Sequence, residues 1–181
     1  MISALSACGV ADQKARPLQS RYSICDAASG ERYNGLMSSD VTIRAAIIDD
    51  SSPLAALITQ LGYPTTTPQM SGRLAPLLVD PNYRALVAEI SGRVVGMIGL
   101  RIDRGYEYDG MQARIVALVV DESVRGRGVG KSLMAAGESW AGERGAHKIM
   151  VNTSNHRTKT HEFYRAVGYE ATGLRFVKIL K

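Results

Sequence analysis

Three closely spaced glycines, Gly126, Gly128 and Gly130, constrain this chain more than any other feature. An apolar run ends at Val120 just before them, and apolar residues at helical spacing follow them. The pattern predicts a β-strand, a glycine-rich loop and an α-helix. Because glycine has no side chain to block approach, such a loop exposes its backbone N–H groups. The helix N-terminus adds unpaired donors and a partial positive charge, so the stretch predicts an anion-binding site suited to phosphate groups.

Two common phosphate-binding patterns do not match this glycine spacing. The nucleotide-hydrolase loop reads G-x-x-x-x-G-K-[ST]. Gly130, Lys131 and Ser132 fit its end, but Arg125 stands where its first glycine is required. The dinucleotide pattern G-x-G-x-x-G needs a longer final interval than Gly128 and Gly130 provide. Glycine spacing sets the path of the loop, so both patterns are disfavoured, and nucleotide hydrolysis stays open only as a minor alternative.

Length and composition favour a single globular domain. A chain of 181 residues can bury one substantial core and is short for two. No apolar run approaches the roughly 20 residues that span a bilayer, so no membrane partner is expected. The net charge of +5 permits contact with polyphosphates. Like charges are not blocked together and aromatic residues are sparse, so a nucleic-acid partner is not expected.

The first part of the chain differs from the rest. Residues 1–40 are rich in Ser, Ala, Gly and Arg without sustained periodicity, so we expect a disordered N-terminal extension before a single domain at 41–181. The functional chain is hypothesised to begin near Met37, and whether residues 1–36 belong to it stays open. Cys8 and Cys25 form no C-x-x-C pair, which predicts neither a redox nor a zinc site and is compatible with a reduced cytoplasm. The first residues lack a signal-peptide pattern, so a cytoplasmic location is expected.

Hydrophobic periodicity predicts the element order β, α, α, β, β, β, α, β, α, β. Two capped helices are expected between residues 53 and 80, and Ser91 and Gly92 predict a tight hairpin turn. The other predicted elements are strands at 41–45, 84–90, 93–102, 113–120 and 147–153, helices at about 128–143 and 158–167, and a closing strand through 176–180.

Two motifs resemble one known family. Residues 125–130 read R-x-x-G-x-G and resemble the pyrophosphate-binding motif of the GCN5-related N-acetyltransferases (GNAT), which hold acetyl-coenzyme A (acetyl-CoA). Residues 151–155, followed by F-Y-x-x-x-G-[FY] at 163–169, resemble that family's fifth strand and the end of its last helix. The resemblance covers 41–180 and implies an α/β (α+β) acyl-CoA N-acyltransferase fold. Such a fold has a mixed, mostly antiparallel twisted sheet of six to seven strands flanked by four helices.

The resemblance also implies a site that takes acetyl-CoA as co-substrate and uses no metal. Tyr164 matches the tyrosine that in many members lies near the thioester sulfur and acts as general acid. A backbone N–H near Val119 would stabilise the oxyanion formed during transfer. Coenzyme contacts are implied for Leu118, Val119, Val120, Arg125, Gly126, Arg127, Gly128, Val129, Gly130, Lys131, Ser132 and Asn155.

The sequence departs from the family at one position of chemical importance. Many members carry a glutamate base in the strand before the glycine loop, but residues 115–118 are all apolar here. Glu89, Glu107 and Asp109 are the available substitutes, and each is expected to be structural or merely solvated. The amine is therefore expected to lose its proton through water.

The implied function is transfer of an acetyl group from acetyl-CoA to a primary amine by direct attack in a ternary complex. The acidic and aromatic residues at 107–109 favour a cationic acceptor, and a small-molecule amine is the expected partner. Two alternatives stay open, a non-catalytic acyl-CoA-binding sensor and an acetyltransferase of protein or peptide amines. The sequence leaves the oligomeric state open between a monomer and a homodimer.

Overall fold

The structure, a computed structural model, describes residues 40–180. The hypotheses about the N-terminal extension and a start near Met37 lie outside the described residues. The helices are α1 (Ser51–Gln60), α2 (Thr67–Val79), α3 (Val129–Glu143) and α4 (Thr158–Ala166). The strands are β1 (Val41–Ala45), β2 (Tyr83–Ile90), β3 (Arg93–Arg104), β4 (Met111–Val120) and β5 (Ala146–Val151). The predicted element order is confirmed as far as α4.

The five strands form one sheet in chain order, β1 to β5. Neighbouring strands are antiparallel except for β4 and β5, which are parallel because α3 crosses between them. Ser91 and Gly92 both have positive φ, as a two-residue hairpin turn between β2 and β3 requires. The sheet is therefore mixed and mostly antiparallel, as expected.

Helices cover both faces of the sheet and bury two apolar clusters. On one face Leu133 and Trp140 of α3 pack among residues that include Ile98 of β3. Gly137 permits this close approach, because a Cβ atom there would lie only 3.0 Å from Ile98 Cδ1. On the other face α1 and α2 pack against the sheet, with Leu54 completely buried. Among residues 40–180, no helix has the length and apolar character that a bilayer span requires.

The expectation of six to seven strands is wrong, since the closing strand is absent. Residues 167–180 form neither helix nor strand, and Phe176 and Ile179 are each 89% exposed. A strand needs one uninterrupted apolar face, with side chains alternating at period two. Within 176–180 Lys178 interrupts one face, and the other face offers only Val177 and Ile179, with Arg175 before them.

A partly buried ion-pair cluster links the start of α1 to the sheet. Arg44 of β1 donates to both carboxylate oxygens of Asp50, at 2.7 and 2.8 Å, and to Glu89 of β2 at 2.6 Å. Burial opposes ionisation of Asp50, but the bonds from Arg44 and from the Ile47 N–H outweigh it and lower the pKa of that carboxyl. Glu89 therefore has a structural partner, which is one of the two roles expected for it.

Replacing Asp50 with asparagine is expected to lower the free energy of unfolding by about 2 to 3 kcal/mol. The change leaves the Arg44 guanidinium with one carboxylate partner in a partly buried place. Asp49→Asn is the matched control, because Asp49 is exposed and loses the same charge. Urea unfolding of both variants measures the effect, and equal stability of the two variants would contradict it.

Candidate active site

A cleft opens where β4 and β5 separate. The parallel pairing joins Met111–Ile115 of β4 to β5 and ends at the pair of Ile115 and Val151. On its other side β4 continues to pair with β3 as far as Val120, with a bulge at Val116. Residues 116–120 therefore present backbone polar groups without a strand partner toward β5. The cleft at this position has a volume of about 1130 Å³.

The glycine loop forms one end of this cleft. Gly126 and Gly128 have φ of +80° and +84°, a region that disfavours residues with a Cβ atom. No heavy atom lies within 4 Å of a Cβ built at either position, so the loop surface is open. Gly128 is the N-cap of α3, and no side chain caps the helix. The first N–H groups of α3 are therefore available to an anion.

The two sequence motifs contact each other in the structure. A Cβ atom at Gly130 would lie 3.3 Å from Cζ of Phe163, so the absence of a side chain there lets α4 pack against the start of α3. The Phe163 and Tyr164 rings meet edge to face, with centroids 5.5 Å apart. Tyr164 lies in the wall of the same cleft as residues 116–120 of β4.

Tyr164 is buried and lines the cleft. Burial raises the pKa of its phenol above the ordinary value, and the nearby Arg157 charge offsets part of that rise. The hydroxyl is therefore protonated at neutral pH. A buried phenol beside a cleft is chemically suited to donate a proton to an anionic leaving group.

Most of the residues with an implied coenzyme contact line the same cleft. They are Leu118, Val119, Val120, Arg125, Gly126, Gly128, Val129, Gly130 and Lys131. Arg127, Ser132 and Asn155 are not part of the cleft wall, whereas Asn152 and Thr153 are. The Thr153 hydroxyl is buried and has no hydrogen-bond partner among residues 40–180, which leaves it available to a ligand. The individual contacts stay predictions.

The candidate base residues lie elsewhere. Glu89 is bound to Arg44, while Glu107 and Asp109 belong to the loop before β4. That loop is at the opposite end of β4 from the glycine loop, roughly 30 Å away at the rise of an extended strand. The described part of the cleft wall contains no aspartate or glutamate. The acidic loop therefore gives no support to a cationic acceptor. Within residues 40–180, no group of three His, Cys, Asp or Glu residues could hold a metal ion.

Arg157 is a site residue that the sequence did not reveal. Its Nη2 donates a hydrogen bond of 2.7 Å to the carbonyl oxygen of Leu61, so it links the start of α4 to the end of α1 across the cleft. The two residues are 96 positions apart in sequence, and no local sequence pattern predicts such a contact. Arg114 and Arg175 also line the cleft, and the sequence patterns did not identify them as site residues either.

Sheet, glycine loop and cleft together define an acyl-CoA N-acyltransferase fold. A family model described as acetyltransferase (GNAT) family matches residues 52–169. The chain therefore belongs to the acetyltransferase (GNAT) family, and it is an acetyl-CoA-dependent N-acetyltransferase. The resemblance inferred from the two motifs is confirmed.

Named relatives agree with this assignment. An aminoalkylphosphonate N-acetyltransferase of Salmonella typhimurium is 32% identical over 139 residues, which are 76% of this chain and 90% of that protein. A glucosamine 6-phosphate N-acetyltransferase of Trypanosoma brucei brucei is 28% identical and covers 75% of this chain and 94% of its own length. A GNAT family acetyltransferase structure from Staphylococcus aureus superposes with a TM-score of 0.68 at 25% identity, covering 78% of this chain and 99% of its own.

Proposed function

We propose that this protein transfers the acetyl group of acetyl-CoA to the primary amine of a small molecule, by direct attack in a ternary complex. The observation that carries the proposal is the meeting of three features in one cleft. These are the open glycine loop, the unpaired edge of β4 and the buried hydroxyl of Tyr164. The first two serve coenzyme binding and the third serves proton transfer.

The first requirement is a binding site for the coenzyme. Backbone N–H groups of the glycine loop and of the first turn of α3 would bind the diphosphate, and the open space at Gly126 and Gly128 supports this fit. Backbone groups of Leu118, Val119 and Val120 would pair with the pantetheine amides. The partnerless Thr153 hydroxyl supports a polar ligand in the same cleft. When bound, acetyl-CoA supplies an activated acetyl thioester.

The second requirement is a proton for the departing thiolate. Tyr164 would donate it, because its phenol is protonated across the neutral range and lines the cleft. Its ring contacts the rings of Phe163 and Tyr169, at centroid distances of 5.5 and 5.8 Å. This packing would keep the hydroxyl aimed into the cleft, which shortens the search for a productive geometry.

The third requirement is that the acceptor amine be in its neutral, unprotonated form. No carboxylate of the described cleft wall is available as a base. Cationic neighbours such as Arg157 lower the pKa of a bound ammonium, because like charge disfavours the protonated form. The amine would therefore lose its proton to water more readily in the cleft than in solution.

The similar proteins support a small acceptor. Aminoalkylphosphonate and glucosamine 6-phosphate, the compounds in the names of the two relatives, are amines of small molecules. The chain matches nine-tenths or more of the length of both relatives. A small-molecule amine is therefore favoured over a protein or peptide amine.

A panel of amines tests this function directly. The protein is incubated with acetyl-CoA and each amine, thiol release is followed, and the acetylated product is identified by mass spectrometry. We expect release and product with at least one small primary amine. Tight acetyl-CoA binding without thiol release on any amine would support a sensor instead. Release with peptides alone would support a peptide acetyltransferase.

A further inference from the structure

The described cleft wall carries cations and no carboxylate. Its basic side chains are Arg114, Arg125, Lys131, Arg157, Lys159 and Arg175. None of them forms an ion pair with a carboxylate of residues 40–180. A cleft lined by one sign of charge concentrates its potential and attracts ligands of the opposite sign. The positive charge of this cleft therefore favours ligands that carry negative charge.

The coenzyme accounts for only part of this positive charge. Arg125 and Lys131 belong to the glycine loop and the start of α3, where the diphosphate is proposed to bind. Arg114 lies four residues before Leu118 on β4, about 13 Å away along the strand. Arg175 reaches the cleft from the segment after α4. These two arginines reach the cleft from outside the glycine loop, and neither has a carboxylate partner among residues 40–180.

Arg114 and its strand partner Arg101 differ in whether other protein groups engage the guanidinium. Arg114 on β4 and Arg101 on β3 are paired in the sheet, so both side chains leave the same face. The Arg101 guanidinium is engaged, since it pairs with Asp103 at 3.2 Å and lies 5.7 Å from the Tyr83 ring centroid. Arg114 forms no hydrogen bond or ion pair with the residues between 40 and 180. Arg114 is exposed and lines the cleft.

We propose that Arg114 and Arg175 bind a phosphonate or phosphate group carried by the amine acceptor, an inference that rests on the proposed acetyl transfer. A guanidinium donates two parallel hydrogen bonds to two oxygens of such a group, and two guanidinia match its double negative charge. An acceptor with ammonium groups alone would be repelled by this wall. The anion anchors one end of the acceptor and leaves the amine end to reach the separation of β4 and β5.

Matched acceptors test the inference. Initial rates of thiol release are measured with aminoethylphosphonate and phosphoethanolamine, and with ethanolamine and β-alanine for comparison. The kcat/KM for the phosphorus-containing amines is expected to exceed that for ethanolamine by at least about tenfold. Arg114→Gln is expected to raise the KM for aminoethylphosphonate by about 10- to 100-fold, since a lost charged hydrogen bond has an effect of this order. Arg114→Lys should recover part of the loss.

Arg101→Gln is the matched control, because Arg101 shares the face of the sheet but lies outside the cleft wall. Its KM for aminoethylphosphonate should match that of the unchanged protein. Three results would overturn the inference without contradicting acetyl transfer. They are a kcat/KM for ethanolamine equal to that for the phosphorus-containing amines, a higher kcat/KM for β-alanine, and an equal loss of kcat/KM in Arg114→Gln for every acceptor. Absence of thiol release with every amine would contradict the proposed function as well.

Discussion

Replacing Gly128 with glutamate is expected to abolish detectable binding of acetyl-CoA. Gly128 is the N-cap of α3, with φ of +84° and open space where a side chain would project. A carboxylate there would occupy the proposed diphosphate site and place like charges together, which costs several kcal/mol. Because about 1.4 kcal/mol is a factor of ten, the affinity should fall at least 100-fold. Isothermal titration calorimetry measures the change.

Gly145→Glu separates the loss of the anion site from backbone strain. Gly145 stands just past the other end of α3, also has positive φ of +74° and has no atom within 4 Å of a built Cβ. Both substitutions therefore carry a comparable strain of roughly 1 kcal/mol or more. Gly145 is outside the cleft wall, so this variant should bind acetyl-CoA normally. Equal affinity in both variants, whether retained or lost, would argue against the diphosphate site.

Tyr164→Phe is expected to lower kcat by about 100-fold or more while acetyl-CoA binds with nearly unchanged affinity. The substitution removes the proposed proton donor, and general acid catalysis contributes typically 10²–10⁴-fold. The ring and its contact with Phe163 remain, so the fold and the coenzyme site should persist. Steady-state rates of thiol release and calorimetry measure the two quantities separately.

Tyr169→Phe is the matched control for this effect. The Tyr169 ring packs on Tyr164, but its hydroxyl donates to Glu138 and does not line the cleft. Burial raises the pKa of Tyr169, with the Glu138 carboxylate adding to the rise, so this phenol stays bound to its proton. Removing the Tyr169 hydroxyl should change kcat by no more than a few-fold. Full activity in Tyr164→Phe would remove Tyr164 from the mechanism.

Features that depend on neighbouring residues in the chain could be predicted from the sequence. The hairpin needed two residues that tolerate positive φ, and Ser91 and Gly92 supplied them. The helix after the glycine loop followed from its apolar spacing and ended near Gly145, as expected. The glycine loop and the Phe163 segment were read as two separate motifs. Their direct contact through Gly130 explains why both occur in one chain.

Features that depend on contacts between distant segments could not be predicted. The closing strand is predicted from an apolar run, but Lys178 interrupts one of its faces, and the sheet of the described residues ends at β5. The link from Arg157 to the Leu61 carbonyl joins two helix ends that only the folded sheet brings together. The charge of the cleft could not be predicted either, since Arg114 is one of two polar residues in an otherwise apolar strand and its neighbours come from other elements.

A crystal structure of the complex with coenzyme A tests the central claim most directly. We predict that the diphosphate oxygens lie within hydrogen-bond distance, about 2.7–3.2 Å, of the backbone N–H groups of residues 126–131. The pantetheine should run along residues 116–120 of β4, with the sulfur facing the Tyr164 hydroxyl. A diphosphate bound away from the glycine loop, or a sulfur remote from Tyr164, would contradict this account.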